Sequence, residues 1–241
     1  MAVKKQIRAF GSDKYLIRRL FRPKSGVWFC ADAAQIEFRL FVHYANAARL
    51  LQAYTDDPWM NYHKFVQKMV VQFRPDASYD DTKTLNFSKL YATGKDNVAR
   101  QLKLPRAESD LFVQRYDMAF PEVGELLKTA TGLAEARGWV KTMMGRRCRF
   151  PTKDRTYKAL NGVIQGTAAD IMKRKIIELH NERKRTGLTL RFTVHDEVNG
   201  DVPDAESARL VSEVLNRQSF DTKVPILWET GTASNWAEAK S

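Results

Sequence analysis

Cysteine and long apolar runs are the scarcest features of this sequence. Its two cysteines, Cys30 and Cys148, have no second Cys or metal-spaced His nearby, so neither a disulfide nor a zinc site is expected and both thiols are predicted to be buried or idle. No apolar run approaches the roughly 20 residues that span a bilayer. The N-terminal MAVKKQIRAFG also lacks the apolar core of a signal peptide. We therefore expect a cytoplasmic protein without membrane contact.

Acidic residues are also few, since 28 Asp and Glu stand against 40 Lys and Arg and leave a net charge of +12. The basic excess forms two blocks, residues 1–24 and residues 137–158, each with eight basic side chains and one acid. Such blocks favour a polyanion, most often a phosphate backbone, although a solvated basic surface is the alternative for each. With 44% hydrophobic and 28% charged residues, the chain is expected to be globular rather than disordered.

Hydrophobic periodicity predicts strands near both ends of the chain and helices between them. This order is typical of a mixed α/β fold that carries a helical insertion. Pro58 suits the first turn of one helix, and Thr167 is expected as the N-cap of another that ends at Gly187. The predicted strands are 26–32, 188–195 and 224–231, and the predicted helices are 35–54, 58–73, 81–91, 107–118, 122–137, 165–187 and 204–217.

Three carboxylates lie in or at the end of apolar segments, where burying an acidic side chain costs solvation free energy. Asp32 ends the first predicted strand, and Asp196 and Glu197 stand side by side inside the apolar stretch TVHDEVNGDVP (193–203). Neighbouring acids repel and lose solvation when they are buried. They are either solvated at an exposed hairpin tip or neutralised by a cation. If the strands are neighbours, Asp32 and Asp196 converge and can hold two Mg²⁺ ions about 3.5–4 Å apart, as in polymerases, nucleases or transposases.

Three motifs in order carry a family resemblance. DAAQIEFRL (32–40) resembles motif A of the family A DNA polymerases, KTLNFSKLY (83–91) resembles motif B, and VHDE (194–197) resembles motif C. The blocks FPEV, GRRCRFP, NGVIQGTAAD and VPILWETGTASNWAEAK extend the similarity over nearly the whole chain. The resemblance implies an α/β (α+β) fold, a palm with an antiparallel sheet and helices, interrupted by helical fingers, and without thumb or exonuclease. The implied parts are palm at 1–56, fingers at 57–150 and palm again at 151–241.

The resemblance assigns the metal site to the acids. Asp32 and Asp196 would ligate two Mg²⁺ ions, for which Mn²⁺ can substitute, with help from the Ala33 carbonyl. One ion would lower the pKa of the primer 3′-hydroxyl and the other would neutralise the triphosphate. Glu197 would support this catalytic site. The resemblance puts the hairpin turn at Asp196–Glu197, whereas the dipeptide Asn-Gly at 199–200 is itself a hairpin signal.

A second set of residues is assigned to the nucleotide and the DNA. Lys83, Phe87 and Tyr91 are spaced by four and share one helix face, a pattern that is otherwise typical of core packing. By resemblance, Lys83 is catalytic and meets the triphosphate, Phe87 packs on sugar and base, and Tyr91 lies under the templating position. The further nucleotide contacts implied are Gln35, Glu37 (which crowds the sugar 2′ position) and His63, and the implied DNA contacts are Arg8, Arg146, Arg147, Asn161, Gln165 and His195.

Several positions depart from the family pattern. Tyr79 stands where the family has an Arg four residues before Lys83, so the triphosphate grip is expected to be weaker or supplied by Arg74 or another chain. Ala92 follows Tyr91 where the family has Gly. Ser88 also replaces a Gly, and Ala33–Ala34 replaces Tyr-Ser.

The expected function is template-directed addition of deoxynucleotides to a primer 3′ end. A single-subunit RNA polymerase shares the metal aspartates, but Glu37 and Phe87 fit a deoxy sugar. Intact Asp32, Lys83 and Asp196 disfavour a catalytically idle DNA-binding subunit, and a two-metal nuclease leaves the motif B helix face unexplained. The expected partners are primer-template DNA, deoxynucleoside triphosphates and a protein that supplies a thumb or exonuclease to this split or minimal polymerase. A bacterial or phage-infected cytoplasm is the expected location.

Overall fold

The computed structural model describes residues 15–240, which form two compact units. The first unit comprises the residues up to Ala34, Ile171–Phe220 and the residues from Ile226 onward, and the second comprises Gln35–Asp170 and Asp221–Pro225. Arg8 lies outside the described residues. The division into palm, fingers and palm stays a prediction.

Eleven α-helices, two 3₁₀ helices and six strands are found within the described part of the chain. None of these helices is long and apolar enough to cross a membrane. The strands are β1 Val27–Ala33, β2 Trp139–Lys141, β3 Arg147–Arg149, β4 Thr189–Val194, β5 Glu197–Val202 and β6 Trp228–Ala233. The α-helices are α1 Ile36–Ala45, α2 Ala48–Asp56, α3 Tyr62–Val70, α4 Tyr79–Leu90, α5 Lys95–Leu102, α6 Arg106–Ala119, α7 Pro121–Arg137, α8 Ala159–Asn181, α9 Arg183–Thr186, α10 Ala205–Asn216 and α11 Trp236–Ala239, and the 3₁₀ helices are η1 Leu16–Leu20 and η2 Lys153–Lys158.

An antiparallel sheet forms the centre of the first unit, in the order β4-β5-β1-β6. β1 and β5 are the inner strands, and their apolar side chains are buried because both faces of the sheet are covered there. This arrangement confirms the mixed α/β prediction. The final strand is shorter than predicted, because it begins at Trp228 rather than at Val224. Cys30 is buried in β1, and both cysteines are free.

The hairpin between β4 and β5 turns at His195–Asp196, one residue before the predicted turn. His195 has φ 56°, and it is the first loop residue of a two-residue connection, as in a type II′ turn. Asn-Gly at 199–200 instead lies inside β5. A Cβ on Gly200 would approach the Thr189 carbonyl oxygen to 2.6 Å, so glycine serves close strand packing there.

Helices make up most of the second unit, and several predicted helix boundaries were wrong. The predicted helix 35–54 is broken at Asn46, which takes a left-handed conformation with φ 52° and ends α1. α3 begins not at Pro58 but after Asn61, whose side chain caps the Lys64 N–H. The predicted capped helix before Arg217 and the helix closed by Gly138 are confirmed.

Thr167 is not an N-cap, because α8 begins at Ala159 and runs through it. The Thr167 side chain is completely buried and its hydroxyl lies 2.8 Å from the Tyr44 hydroxyl. This polar partner explains how a Thr that looks like a cap is tolerated in a helix interior. Sequence reasoning also missed α5 and the β2–β3 hairpin, whose short segments carry little periodicity.

Candidate active site

The sheet of the first unit brings the three predicted carboxylate residues together. Asp32 lies directly opposite Glu197 in the β1–β5 register. The Ala33 N–H donates to the Asp196 carbonyl oxygen at 3.0 Å, which fixes the hairpin turn beside the end of β1. Residues 164 positions apart in the sequence, Asp32 and Asp196, therefore sit at one end of neighbouring strands.

A lysine ammonium forms ion pairs with two of these acids. The Lys240 ammonium donates to Asp32 Oδ2 at 2.6 Å and also to the Glu197 carboxylate. Only 2% of the Glu197 side chain is exposed, compared with 35% of Asp32 and 28% of Lys240. The other Glu197 oxygen accepts from Trp236 Nε1 and, at 2.7 Å, from Asn199 Nδ2. Every oxygen of the buried acid thus has a donor.

These contacts set the protonation of the cluster. Burial would raise the pKa of Glu197, but the hydrogen bonds from Lys240, Asn199 and Trp236 outweigh burial and lower this pKa. Burial opposes the charge of Lys240, yet the pKa of its ammonium is raised because Asp32 and Glu197 bind it. Glu197 is therefore ionised in the folded chain, and its charge is compensated by these donors.

The carboxylates at this end of the sheet fit a Mg²⁺ site in which the substrate supplies some of the ligands. Among residues 15–240, no three His, Cys, Asp or Glu side chains form a metal cage. Mg²⁺ in nucleotide sites commonly takes only one or two protein carboxylates, and phosphate and water complete its shell. The convergence of Asp32 and Glu197 on the Lys240 ammonium shows that this end of the sheet accommodates a cation.

In the second unit, three predicted contacts meet at Glu37. The Tyr91 hydroxyl donates to Glu37 Oε2 at 2.7 Å, and Gln165 Nε2 donates to Oε1 at 3.3 Å. Glu37 and Tyr91 are half-buried and Gln165 is exposed. The carboxylate is thus held from two directions on a surface that remains open.

The predicted helix face of motif B is present on α4. Lys83 is exposed and Phe87 and Tyr91 are half-buried, whereas Leu85 and Leu90 of the same helix are buried. The Phe87 and Tyr91 rings stack with their centroids 5.7 Å apart and an interplanar angle of 15°. The pattern is therefore a surface stripe rather than core packing.

His63 lies against this stripe from α3. Its ring centroid is 4.5 Å from that of Phe38 and 5.5 Å from that of Phe87, and only 3% of the residue is exposed. Burial lowers the pKa of His63 to about 4, and the nearby Lys83 ammonium lowers it as well. The imidazole is neutral at physiological pH. Gln35, also predicted to contact the nucleotide, accepts from the Tyr62 N–H at 3.0 Å.

The predicted DNA contacts occupy varied settings. Arg146 donates to Asp170 Oδ1 at 2.7 Å and to the Gly166 carbonyl at 2.6 Å, which orients an exposed guanidinium. Arg147 lies 4.6 Å from the Trp139 ring centroid. Asn161 Oδ1 is buried without a hydrogen-bond partner among the described residues, and His195 is exposed at the β4–β5 turn.

The departures from the family pattern have structural consequences. Tyr79 opens α4, and Arg74 is engaged by Asp76 and by the Phe112 ring at 4.9 Å. Ala92 takes φ 49°, a left-handed conformation that suits the Gly expected there. The Ser88 hydroxyl donates to the Thr84 carbonyl at 2.7 Å within α4.

Sequence reasoning missed three polar side chains around the predicted residues. Lys240 bridges two acids, Asn86 hydrogen-bonds to His63, and Tyr116 hydrogen-bonds to Asn86. Lys240 was visible only as part of the resembling tail NWAEAK, and nothing in the sequence indicates that it returns to Asp32. Asn86 was visible as a polar residue between the exposed positions of motif B.

The antiparallel sheet with paired acids and the helix that carries Lys83, Phe87 and Tyr91 define a polymerase-like class of protein. Residues 5–238 match the profile described as DNA polymerase family A, and the chain belongs to that family. It is 34% identical to DNA polymerase DpoZ of Salmonella phage PMBT28, over 93% of this chain and 40% of that protein. It is 31% identical to DNA polymerase I of Bacillus caldotenax, over 93% of this chain and 28% of that protein.

A solved structure has the same fold. The POL domain of Pol1 from M. smegmatis, in complex with DNA primer-template and dNTP, superposes with a TM-score of 0.82 at 26% identity. The match covers 93% of this chain and 43% of that chain. The chain therefore spans less than half of the length of each of these relatives.

Proposed function

We propose that this chain is the polymerase core of a DNA-directed DNA polymerase, a nucleotidyltransferase that extends a primer 3′ end. The primer 3′-oxygen forms a bond to the α-phosphorus of a deoxynucleoside triphosphate, and the bond to pyrophosphate breaks. The observation that carries this proposal is the convergence of Asp32, Asp196 and Glu197 at one end of the β1–β5 pair. The family membership supports it.

The metal ligands we propose are Asp32 and Asp196, with the Ala33 carbonyl at the end of β1. Two Mg²⁺ ions, or Mn²⁺ in their place, would supply charge neutralisation for the triphosphate and a lowered pKa for the primer hydroxyl. Glu197 is buried and fully hydrogen-bonded, so its proposed part is to hold the strand end and the local charge in place.

The nucleotide is proposed to bind along the open face of α4. Lys83 is an exposed ammonium that pairs with the triphosphate, and Phe87 offers a ring face to sugar and base. Glu37 is proposed to fill the space that a 2′-hydroxyl needs, because Tyr91 and Gln165 hold its carboxylate in one orientation. His63 and Gln35 complete the proposed nucleotide set.

The proposed macromolecular substrate is primer-template DNA. The residues 137–158 carry eight basic side chains against one acid, which suits phosphate contacts that are independent of sequence. Arg146 is oriented by Asp170, and Asn161 has an unsatisfied buried oxygen, so both are proposed to contact DNA. The Pol1 neighbour was solved with DNA and nucleotide bound.

A primer-extension assay with Mg²⁺ tests the function. Asp32→Ala and Asp196→Ala should each slow extension at least ~10³-fold, because each removes a proposed ligand of both ions. Duplex binding, measured by fluorescence anisotropy, should persist because basic side chains meet the backbone. Glu125→Ala, an exposed acid on α7, is the control and should extend normally. Near-normal extension by either aspartate variant would overturn the metal assignment.

We also propose a protein partner that supplies a thumb or an exonuclease. Its support is an exposed apolar surface on η1, where Ile17 is 48% and Leu20 is 80% exposed. The measurement is extension length per binding event with a heparin trap, with and without the products of neighbouring genes. Long, salt-resistant tracts made by the 241-residue chain alone would count against the partner.

A further inference from the structure

A buried chain of hydrogen bonds ends on His63. The Tyr116 hydroxyl donates to Asn86 Oδ1 at 2.9 Å, and the Asn86 Nδ2 group lies 3.0 Å from His63 Nδ1. The Tyr62 hydroxyl in turn hydrogen-bonds to that of Tyr116. The exposed fractions of His63, Asn86, Tyr116 and Tyr62 are 3%, 2%, 1% and 1%. Bulk water therefore does not substitute for these partners.

Donor and acceptor roles run in one order along these hydrogen bonds, and this order determines which ring nitrogen of His63 carries the proton. Asn86 Oδ1 can only accept, so the Tyr116 hydroxyl donates its hydrogen bond to it, and the Asn86 amide nitrogen is turned towards His63. An amide nitrogen only donates, so His63 Nδ1 must be an acceptor. A neutral imidazole carries its single proton on the other nitrogen. His63 is thus left with an Nε2–H donor.

The charges around His63 indicate which kind of ligand its Nε2–H donor would bind. Lys83 is exposed one turn before Asn86 on α4, and its charge is close enough to depress the pKa of His63. A second positive charge beside Lys83 is therefore disfavoured, whereas a neutral N–H donor is compatible with it. An ammonium and a fixed N–H donor within electrostatic reach of each other suit the oxygens of a phosphate group.

We propose that Asn86 and Tyr116 are positioning residues that hold His63 as its Nε2–H tautomer, as a hydrogen-bond donor to the triphosphate of the incoming nucleotide. This inference rests on the proposed function and deepens it. α4 then contributes to nucleotide binding in two ways, since Lys83 contacts the nucleotide directly and Asn86 acts through His63. If Asn86 were only a satisfied core residue, its replacement would change stability without changing the affinity for the nucleotide.

The first measurement is the tautomer of His63, in the full chain without nucleotide. Two-bond ¹H–¹⁵N spectra distinguish Nε2–H from Nδ1–H imidazoles, and His43, His180 and His195 serve as internal references. The inference requires an Nε2–H signature for His63. In Asn86→Asp the carboxylate accepts instead of donating, so His63 should switch to Nδ1–H or become protonated. An Nδ1–H signature in the parent chain, or an unchanged tautomer in Asn86→Asp, would overturn the inference.

Nucleotide affinity is the second readout. Asn86→Asp and the gentler Tyr116→Phe should raise KM for the deoxynucleotide about 3- to 10-fold with a smaller change in kcat, the size of one lost hydrogen bond. Combining either change with His63→Ala should add little to the effect of His63→Ala alone. Unchanged KM in Asn86→Asp, measured at a pH where its spectra show the neutral Nδ1–H form of His63, would refute the phosphate role, because only that form lacks the Nε2–H donor.

Tyr54→Phe is the matched control. Tyr54 is 1% exposed, and its hydroxyl has no hydrogen-bond partner among the described residues, so this change removes a buried hydroxyl outside the chain that ends on His63. It should leave the tautomer and KM unchanged. If the protein lacks polymerase activity, the proposed function fails. The tautomer of His63, together with a titration of its ¹⁵N signals with dATP, then still decides whether Asn86 positions His63 as a hydrogen-bond donor to a phosphate.

Discussion

Replacing Lys240 with Met should destabilise the chain by an amount that the structure allows us to work out. Met keeps the aliphatic stem and removes only the ammonium that binds Asp32 and Glu197. Removing one partner of a fully buried ion pair costs about 3–5 kcal/mol. Here the cost is smaller, because Lys240 is 28% exposed and Asn199 and Trp236 still donate to Glu197. We expect about 1–2 kcal/mol.

For a chain of this size, 1 kcal/mol corresponds to about 2–4 °C in Tm, so Lys240→Met should melt about 2–8 °C lower. The assay is thermal unfolding followed by circular dichroism in EDTA and in Mg²⁺. Mg²⁺ should raise the Tm of the variant more than that of the parent chain, because a bound cation replaces the ammonium beside Asp32. Lys128→Met removes an exposed lysine on α7 and should not change Tm. Equal Tm values for parent and Lys240→Met in EDTA would refute the reasoning.

Three further changes test other parts of the structure. Glu37→Ala should increase ribonucleotide insertion relative to deoxynucleotide in single-turnover assays, and unchanged selectivity would argue against its steric role. His63 has a pKa of about 4 when folded and roughly 6.5 when unfolded, so the unfolded chain binds the extra proton between these values. Stability to urea should therefore fall as pH drops through that window, by up to ~1.4 kcal/mol per pH unit, and less steeply in His63→Gln. Ala92→Gly should raise the free energy of unfolding by about 1 kcal/mol, since Ala92 has φ 49°, and a loss of stability would contradict this origin of strain.

The elements with strong local signals could be predicted from the sequence. β1 is an apolar run that ends at an acid, and it was predicted as a strand, whereas the polar strand β5 was expected only through the hairpin that the resemblance to motif C implies. The shared face of Lys83, Phe87 and Tyr91 followed from their four-residue spacing, whereas its exposure was expected only from the charge of Lys83 and the family resemblance. In each case the signal lies within one helix or one strand, where local geometry decides the outcome.

What could not be predicted depends on contacts between distant residues. Lys240 reaches Asp32 across 208 positions, and no spacing rule links the two. His63 is buried because Phe38 and Phe87 pack around it, although a lone helical His is usually exposed. The break at Asn46 needed a left-handed residue that periodicity does not reveal.

The placement of Asn199 bears on how the protein ages. An Asn followed by Gly ordinarily loses ammonia readily, because the next backbone nitrogen attacks the side-chain carbonyl and closes a succinimide ring. In β5, however, Asn199 is fully buried, accepts from Trp28 Nε1 at 3.0 Å and donates to Glu197, and the backbone is paired on both sides. Ring closure therefore requires the central strand to open. Deamidation here would place a second carboxylate beside Glu197 in the interior, so its slow appearance during storage would record how often the middle of the sheet comes apart.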